Sequence, residues 1–381
     1  MNGKEELKRK IIKTSRVLGI DKIGFTTAQN FSNLEKSLIK QKELGFTTGF
    51  EHPSLKESLH PKEIFNHPKT IISIALAYPT KIHEKIDKSQ GKRGSFARVS
   101  WGEDYHKILK QKMQHLVEKI SELIQEGAKF KLMVDTGELI DVAVAKRAGV
   151  GFIGKNGLLI TEEFGSFVYL GEIVTNLKLT PDNPKKNQCE DCTRCLDHCP
   201  TGALLKNGPM NGKRCLSYQT QTKGYMLKEF RKLIRSTIYG CDICQLVCPF
   251  NKSKDFHFHR EMEPSLENVY PLLKPLLTIT NKEFQKRFGK MSAAWRGKKP
   301  LQRNAIIALA NHHDTSAIVD LCKVIKSHPV AMIRGTAAWS IFQLVPKPSN
   351  ALKQFMVLAL RKETDDKTRE EFQEVLKKWR N

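Results

Sequence analysis

No apolar run in the chain approaches the roughly 18 residues that cross a bilayer, so no transmembrane helix is expected. No apolar segment follows the basic residues of Met1-Asn-Gly-Lys-Glu-Glu-Leu-Lys-Arg-Lys-Ile-Ile12 either, and this start reads as a charged amphipathic helix, not a secretory signal. Lacking an export signal, a chain of 381 residues has no use for a disulfide framework, which leaves reduced thiols and a cytoplasmic location as the expectation. Acidic residues are scarce: 40 Asp and Glu face 64 Lys and Arg, a net charge of +24. Such an excess favours a polyanionic partner. It is uneven, with 20 basic and 9 acidic side chains in residues 282–381, so nucleic-acid phosphates are expected there.

What the chain does have is cysteine in a strict frame. Cys189-x2-Cys192-x2-Cys195-x3-Cys199-Pro200 is followed by Cys215 and then by Cys241-x2-Cys244-x3-Cys248-Pro249. The first run matches the bacterial ferredoxin pattern, in which three close thiolates hold one 4Fe-4S cluster and the fourth, before proline, reaches a second cluster. By that crossed logic Cys189, Cys192, Cys195 and Cys248 hold one cluster, and Cys199, Cys215, Cys241 and Cys244 the other. A pair of structural zinc sites is the competing reading, but zinc has no need of two Cys-x3-Cys-Pro endings. Cys322, alone in the last third, reads as a small core residue.

Periodicity divides the rest. Helices are expected over 4–18 and 31–44, a buried strand over 70–78, and a mobile basic loop over 80–100. Trp101-Gly-Glu-Asp-Tyr-His106 opens a helix running to about Gln125, and Tyr105 and His106 on its first turn face either a pocket or solvent. A strand at 129–135, a helix at 138–148 and a strand at 166–174 complete an α+β sheet domain over 1–180, with the cysteine module at 181–255. In the basic last part, 256–381, helices headed by Arg303, Arg334 and Arg369 recur at spacings of 31 and 35, the pattern of a short HEAT-like stack.

Gly149-Val-Gly151-Phe-Ile-Gly154 imitates a dinucleotide fingerprint and, with Lys155, a P-loop. Neither context holds, because the stretch follows a helix instead of a strand and Asn156 stands where a P-loop needs Ser or Thr. The glycines are expected to let backbone approach a flat or bulky ligand. Asp135, where the strand ends, has two readings: a helix-capping pair with Glu138, or a proton donor beside a cavity. Clusters fully ligated by cysteine move electrons and do no bond chemistry, so the first domain is expected to house the acceptor.

Together, Trp101-Gly-x-Asp-Tyr-His106, Val134-Asp-Thr-Gly-Glu138, Gly154-Lys-Asn-Gly157, the paired cysteine runs, Ser217-Tyr-Gln-Thr-Gln221 and Tyr239-Gly-Cys-Asp-Ile-Cys-Gln245 resemble the epoxyqueuosine reductase family. The resemblance spans essentially the whole chain, except that residues 46–69 carry no secure family motif. It implies a base-off cobalamin over a nitroreductase-like sheet, as in reductive dehalogenases, fed by a ferredoxin-like module with two 4Fe-4S clusters and an external electron donor. It further implies removal of the epoxide oxygen of epoxyqueuosine at the tRNA wobble position by a monomeric enzyme. On this resemblance Asp135 is the proton donor, with burial expected to keep it protonated, and Tyr105, His106 and Lys223 are substrate contacts. Lys155, Asn156, Gly157, Ser217 and Asp242 match positions that meet the corrin, and the arginines heading the repeats are expected, with Lys223, at tRNA phosphates. Rival readings are a cobalamin-dependent dehalogenase, which would leave the basic tail without a purpose, an electron-transfer subunit of a larger complex, and a DNA-repair enzyme with a structural cluster.

Overall fold

The computed structural model describes residues 3–124 and 127–380; Gln125, the expected end of one helix, lies outside the described residues. The chain forms two compact units, each assembled from separated segments. The first comprises residues 1–81, 102–215 and 242–263, and the second 82–101, 216–241 and 264–381. The interleaving cuts across the segment boundaries at 180 and 255.

In the first unit, β1 (Lys22–Thr27), β2 (Thr70–Ala77), β3 (Phe130–Met133) and β4 (Val168–Thr175) form an antiparallel sheet in the order β1-β2-β4-β3. β2 reads Thr-Ile-Ile-Ser-Ile-Ala-Leu-Ala and is buried along its whole length, as a β-branched run between two neighbours should be. Helices α1 (Gly3–Val17) and α2 (Tyr105–Leu123) pack together, and α2 lies on β4. Gly171 of β4 lies against Met113 of α2, so Tyr169, Gly171 and Ile173 look toward that helix. The opposite residues of β4 meet α3 (Asp141–Arg147), where Val168 and Leu170 pack with Ala145 and Ala148. α2 and α3 therefore cover opposite faces of one sheet.

In the second unit, which the short helices α4 (Arg194–Asp197) and α5 (Ile243–Leu246) of the first unit precede in the chain, α6 (Lys298–Asn311), α8 (Ala331–Leu344) and α10 (Asp366–Lys378) stack in order, α7 (Ile318–Ser327) against α8 and α9 (Asn350–Lys362) against α10. Their core is continuous with Phe96, Trp101, Ile238 and Tyr239. The expected mobile loop over 80–100 is thus corrected at its end: Ser95–Phe96 pairs in parallel with Thr237–Tyr239, and Phe96, Ala97 and Trp101 are buried.

The arginines that head the repeats are also corrected, because they face inward. Arg303 is fully buried and donates to the carbonyls of Gln219, Thr220, Thr222 and Gly224. Arg334 makes a two-pronged pair with Glu363 at 2.7 Å, and Arg369 donates to the carbonyls of Leu360 and Glu363. A guanidinium presents five donors in a fixed fork, which suits it to stapling loop carbonyls that no helix satisfies. These three side chains hold the stack together and are not free for phosphates.

Arg231 and Glu371 form a further two-pronged pair, both buried, at 2.6 and 3.0 Å. Removing one partner leaves the other charge uncompensated, so Glu371→Ala is expected to cost the second unit about 3 kcal/mol. The check is the urea midpoint of its unfolding; an unchanged midpoint would show that the pair contributes nothing.

Candidate active site

β3 ends at Met133, and two residues later Asp135 takes a left-handed conformation, φ 51°, which a short polar side chain tolerates better than most. Its backbone N–H donates to Asp141 Oδ2 at 3.1 Å. The capping alternative is not realised: Glu138 pairs with Lys131 at 2.6 Å, and α3 begins after Ile140 with no side-chain cap. The burial expected of Asp135 is not found either, since its side chain is 57% exposed.

Asp104 caps α2 by accepting the His106 N–H at 3.1 Å. The same carboxylate oxygen contacts His106 Nδ1 at 2.7 Å, while His106 Nε2 lies 3.3 Å from Asp135 Oδ2. The imidazole thus bridges two acids. Burial works against its charge, but hydrogen bonds to Asp104 and Asp135, with their charges, push His106 up to about 9. At neutral pH both ring nitrogens carry protons. The Tyr105 ring lies between His106, 4.2 Å away, and Tyr169, 4.3 Å away and within 5° of parallel, so its two faces are covered. Burial raises the Tyr169 phenol, and the nearby Tyr78, Asp104 and Asp242 raise it further. Tyr105, His106, Asp135 and Asp242 therefore gather around Asp104 and Tyr169.

After α3 the chain makes a small hairpin, Phe152–Ile153 with Leu159–Ile160. The glycines before it serve internal packing and not a ligand: a Cβ on Gly151 would lie 2.4 Å from the Ile160 carbonyl oxygen, and one on Gly149 would lie 2.7 Å from that of Asn183. At the hairpin tip the picture changes. Gly157 has φ 79° and open space around it, and Asn156 is 5% exposed with Nδ2 buried and without a hydrogen-bond partner among the described residues. An orphaned buried donor next to an open glycine fits a bound group with acceptor oxygens or nitrogens. Lys155 points elsewhere, donating to the Glu190 carbonyl at 2.6 Å.

That carbonyl belongs to the first cysteine run. The short helices α4 (Arg194–Asp197) and α5 (Ile243–Leu246), each carrying the middle of a run, pack against each other. Burial raises the Cys195 thiol, with repulsion from Cys189 and Cys248 adding to it; burial likewise raises Cys248, with repulsion from Cys189 and Cys192 adding to it against the backbone N–H groups of Phe250 and Asn251. Cys248 therefore stands with the first run, across about fifty positions of chain. For Cys199, burial is outweighed by the Thr201 side chain and by backbone N–H groups of Leu204, Thr201 and Ala203, which hold the thiol below its ordinary value. A thiolate cradled by amides is what a cluster ligand requires. Cys215 and Cys244 lie in the first unit, whereas Cys241 belongs to the second, packed on Leu216, Met226 and Phe230. Ser217 and Lys223 are also in the second unit: Ser217 accepts from Gln221 Nε2, and Lys223 is exposed.

Sequence reasoning missed Asp104, Asp141, Tyr169 and Glu172. For Glu172 a signal existed, a lone charge inside the apolar strand Val168-Tyr-Leu-Gly-Glu-Ile-Val174.

Comparison with known proteins adds the following. Residues 188–251 match a 4Fe-4S double cluster binding domain, and residues 59–136 match the family described as epoxyqueuosine reductase QueG, DUF1730. An epoxyqueuosine reductase of Lactococcus garvieae is 52% identical over 343 residues, 90% of this chain and 97% of that protein. The Bacillus subtilis epoxyqueuosine reductase is 47% identical over 369 residues, 97% and 95% of the two chains. A solved epoxyqueuosine reductase with a tRNA-Tyr epoxyqueuosine-modified stem loop superposes with a TM-score of 0.95 at 46% identity, over 99% of both chains. A Bacillus subtilis structure with its aspartate catalytic loop swung out of the active site superposes at 0.93, with 46% identity, over 98% and 99%.

In an unfolded chain His106 would titrate near 6.5, and here it does so at about 9. Its contribution to stability is therefore fully present below about pH 6.5 and is lost as the pH rises through about 9. Asp104→Asn is expected to bring the His106 titration, followed by NMR of the ring protons, down toward 6.5. A titration curve that does not move would detach Asp104 from the bridge.

Proposed function

We propose that this chain, which belongs to the epoxyqueuosine reductase family and so reduces epoxyqueuosine to queuosine at the wobble position of tRNA, does so with Asp135 as the proton donor to the departing epoxide oxygen. The observation that carries this reading is the contact between Asp135 Oδ2 and His106 Nε2 at 3.3 Å. Turning an epoxide into an alkene takes two electrons and protonation of the oxygen that leaves. Asp135 is exposed enough to meet a substrate, sits on a turn instead of inside a helix, and touches a ring that carries a spare proton. His106, first read as a substrate contact, is better placed to hold Asp135 and return a proton to it. Tyr105, stacked between His106 and Tyr169, braces the imidazole. The relative whose catalytic loop carries an aspartate supports the assignment.

Bound to this chain, the two 4Fe-4S clusters and cobalamin would supply the electrons. The residues proposed to hold the corrin are Asn156 and Gly157, on the orphaned donor and the open backbone described above, with Lys155, Ser217 and Asp242 as motif positions. The crossed assignment, with Cys189, Cys192, Cys195 and Cys248 on one cluster and Cys199, Cys215, Cys241 and Cys244 on the other, is supported by the place of Cys248 among the first run. In finer terms, we assign the sheet of residues 1–180 to a nitroreductase-like cobalamin domain, 181–255 to a ferredoxin-like module, and 256–381 to HEAT-like repeats that bind tRNA. An external donor supplies electrons, the working form is a monomer, and the compartment is the cytoplasm. No helix among the described residues is long and apolar enough to cross a membrane.

Asp135→Asn is expected to keep iron and corrin content while abolishing turnover, read as the wobble nucleoside by mass spectrometry after anaerobic incubation with cobalamin, a strong reductant and epoxyqueuosine-bearing tRNA from a strain lacking the activity. Normal turnover would remove Asp135 from the chemistry. Deleting the C-terminal helices is not a usable test of tRNA binding, because they share a core with Phe96 and Ile238. Lys223→Glu is the cleaner probe, expected to weaken tRNA binding and to lower the salt slope by about one. An identical slope would take Lys223 off the phosphate backbone.

A further inference from the structure

Beneath Asp135 lies a second acidic group that the reaction as described does not use. Glu172 sits in the middle of β4, is 0% exposed, and neither of its carboxylate oxygens accepts from a fixed donor among the described residues; the polar side chain it meets is the Asp141 carboxyl. Its cross-strand neighbours are Ser73 on β2 and Met133 on β3, and the Ser73 hydroxyl is itself buried with no partner among the described residues. On the α3 face it meets Asp141, in the first turn of that helix, whose Oδ2 accepts the N–H of Asp135. No lysine, arginine or histidine among the described residues pairs with either acid. Arg147, at the far end of α3, is spent on Thr26, Thr27 and Asn30, and His106 faces Asp135 instead.

A carboxylate buried without a counter-charge or donor is too costly to persist; such a group takes up a proton instead. Two ionised carboxylates offer each other only acceptors, whereas one proton makes one of them a donor and satisfies both. The structure points the same way: burial raises both carboxyls; at Asp141 the charge of Asp135 adds to it while hydrogen bonds with the Asp135 N–H and Glu172 work against it, and at Glu172 the charge of Asp141, the hydrogen bond between the two and the charge of Asp135 all add.

We propose that Glu172 and Asp141 share a single proton, and that this proton keeps Asp141 Oδ2 seated on the N–H of Asp135, making the pair the positioning device of the proton donor. The inference rests on the reading of Asp135 as that donor. Its physical content is a latch. The left-handed turn at Asp135 is unfavourable for a residue with a side chain, and it needs an anchor. When the shared proton is lost, two adjacent anions separate, Asp141 moves toward solvent, and the turn is released. No bond other than O–H is made or broken: the proton goes to bulk water as pH rises and returns as it falls.

The test uses the cluster-loaded enzyme with tRNA. In the wild type kcat is expected to fall on the alkaline side as the pair ionises, with KM little changed. Glu172→Gln supplies an amide donor that cannot ionise, so its kcat is expected within about threefold of wild type at neutral pH while the alkaline fall disappears. Asp141→Ala, which removes the acceptor, is expected to lower kcat at least tenfold at every pH. Superposable pH profiles for wild type and Glu172→Gln, or full kcat in Asp141→Ala, would overturn the proposal. A readout independent of turnover separates it from the reading of Asp135: the infrared carbonyl stretch of a protonated carboxyl is expected at neutral pH in wild type and in Asp135→Asn and lost in Glu172→Gln. If the band is absent from wild type the shared proton does not exist, whatever Asp135 does. If the band is present but Asp135→Asn turns over, the donor assignment fails and the proton pair stands.

Discussion

Strand β4 is covered on both sides, and the strict alternation of its side chains is what sorts the chemistry of the first unit. One parity sends Tyr169 under α2, where its ring backs Tyr105 and so fixes the end of the helix that carries His106. The other parity sends Glu172 under α3, next to the acid that holds the Asp135 turn. The two halves of the site are thus set from opposite faces of one strand, and they meet around its neighbour β3. A slip of one residue in the pairing of β4 would exchange the faces and turn Glu172 toward α2 and Tyr169 toward α3. β2, buried throughout and paired along all eight residues of β4, is what forbids that slip.

Acidity in this site is set by burial and by the company each buried group keeps. His106, flanked by two carboxylates, is kept charged although burial opposes it, whereas Glu172, flanked only by another acid, is pushed toward the neutral state. Both groups are thereby driven to hold a proton, the one as a cation and the other as a neutral acid.

Much of this could be read from the sequence, and the limits have physical causes. The strands near 70–78, 129–135 and 166–174 announced themselves because β-branched runs between turn residues have few other homes. β1 did not: Lys-Ile-Gly-Phe-Thr-Thr has weak alternation, and it becomes a strand because Thr70–Ala75 offers it a paired edge. Asp135 and His106 were visible through family likeness, and the cysteines through spacing alone. Asp104, Asp141 and Glu172 were not singled out, since their importance lies in neighbours far along the chain. The arginines heading the repeats misled for a related reason: a periodic charge looks like surface, and only the packed stack shows that Arg303 and Arg369 serve carbonyls and Arg334 the Glu363 carboxylate inside it.

The interleaving of the two units bears on how the protein comes to be made. Ser95–Phe96 finds its strand partner only at Thr237–Tyr239, and the core that both share is completed by helices ending at Lys378. During synthesis those early residues must wait, unpaired and apolar, until Tyr239 has left the ribosome, and longer still for the core to be complete. Contacts so distant are slow to form and leave sticky surface exposed meanwhile. The nascent chain is therefore a natural client for a chaperone through most of its length, and the arginine-to-carbonyl staples that close the stack are among the last bonds it makes.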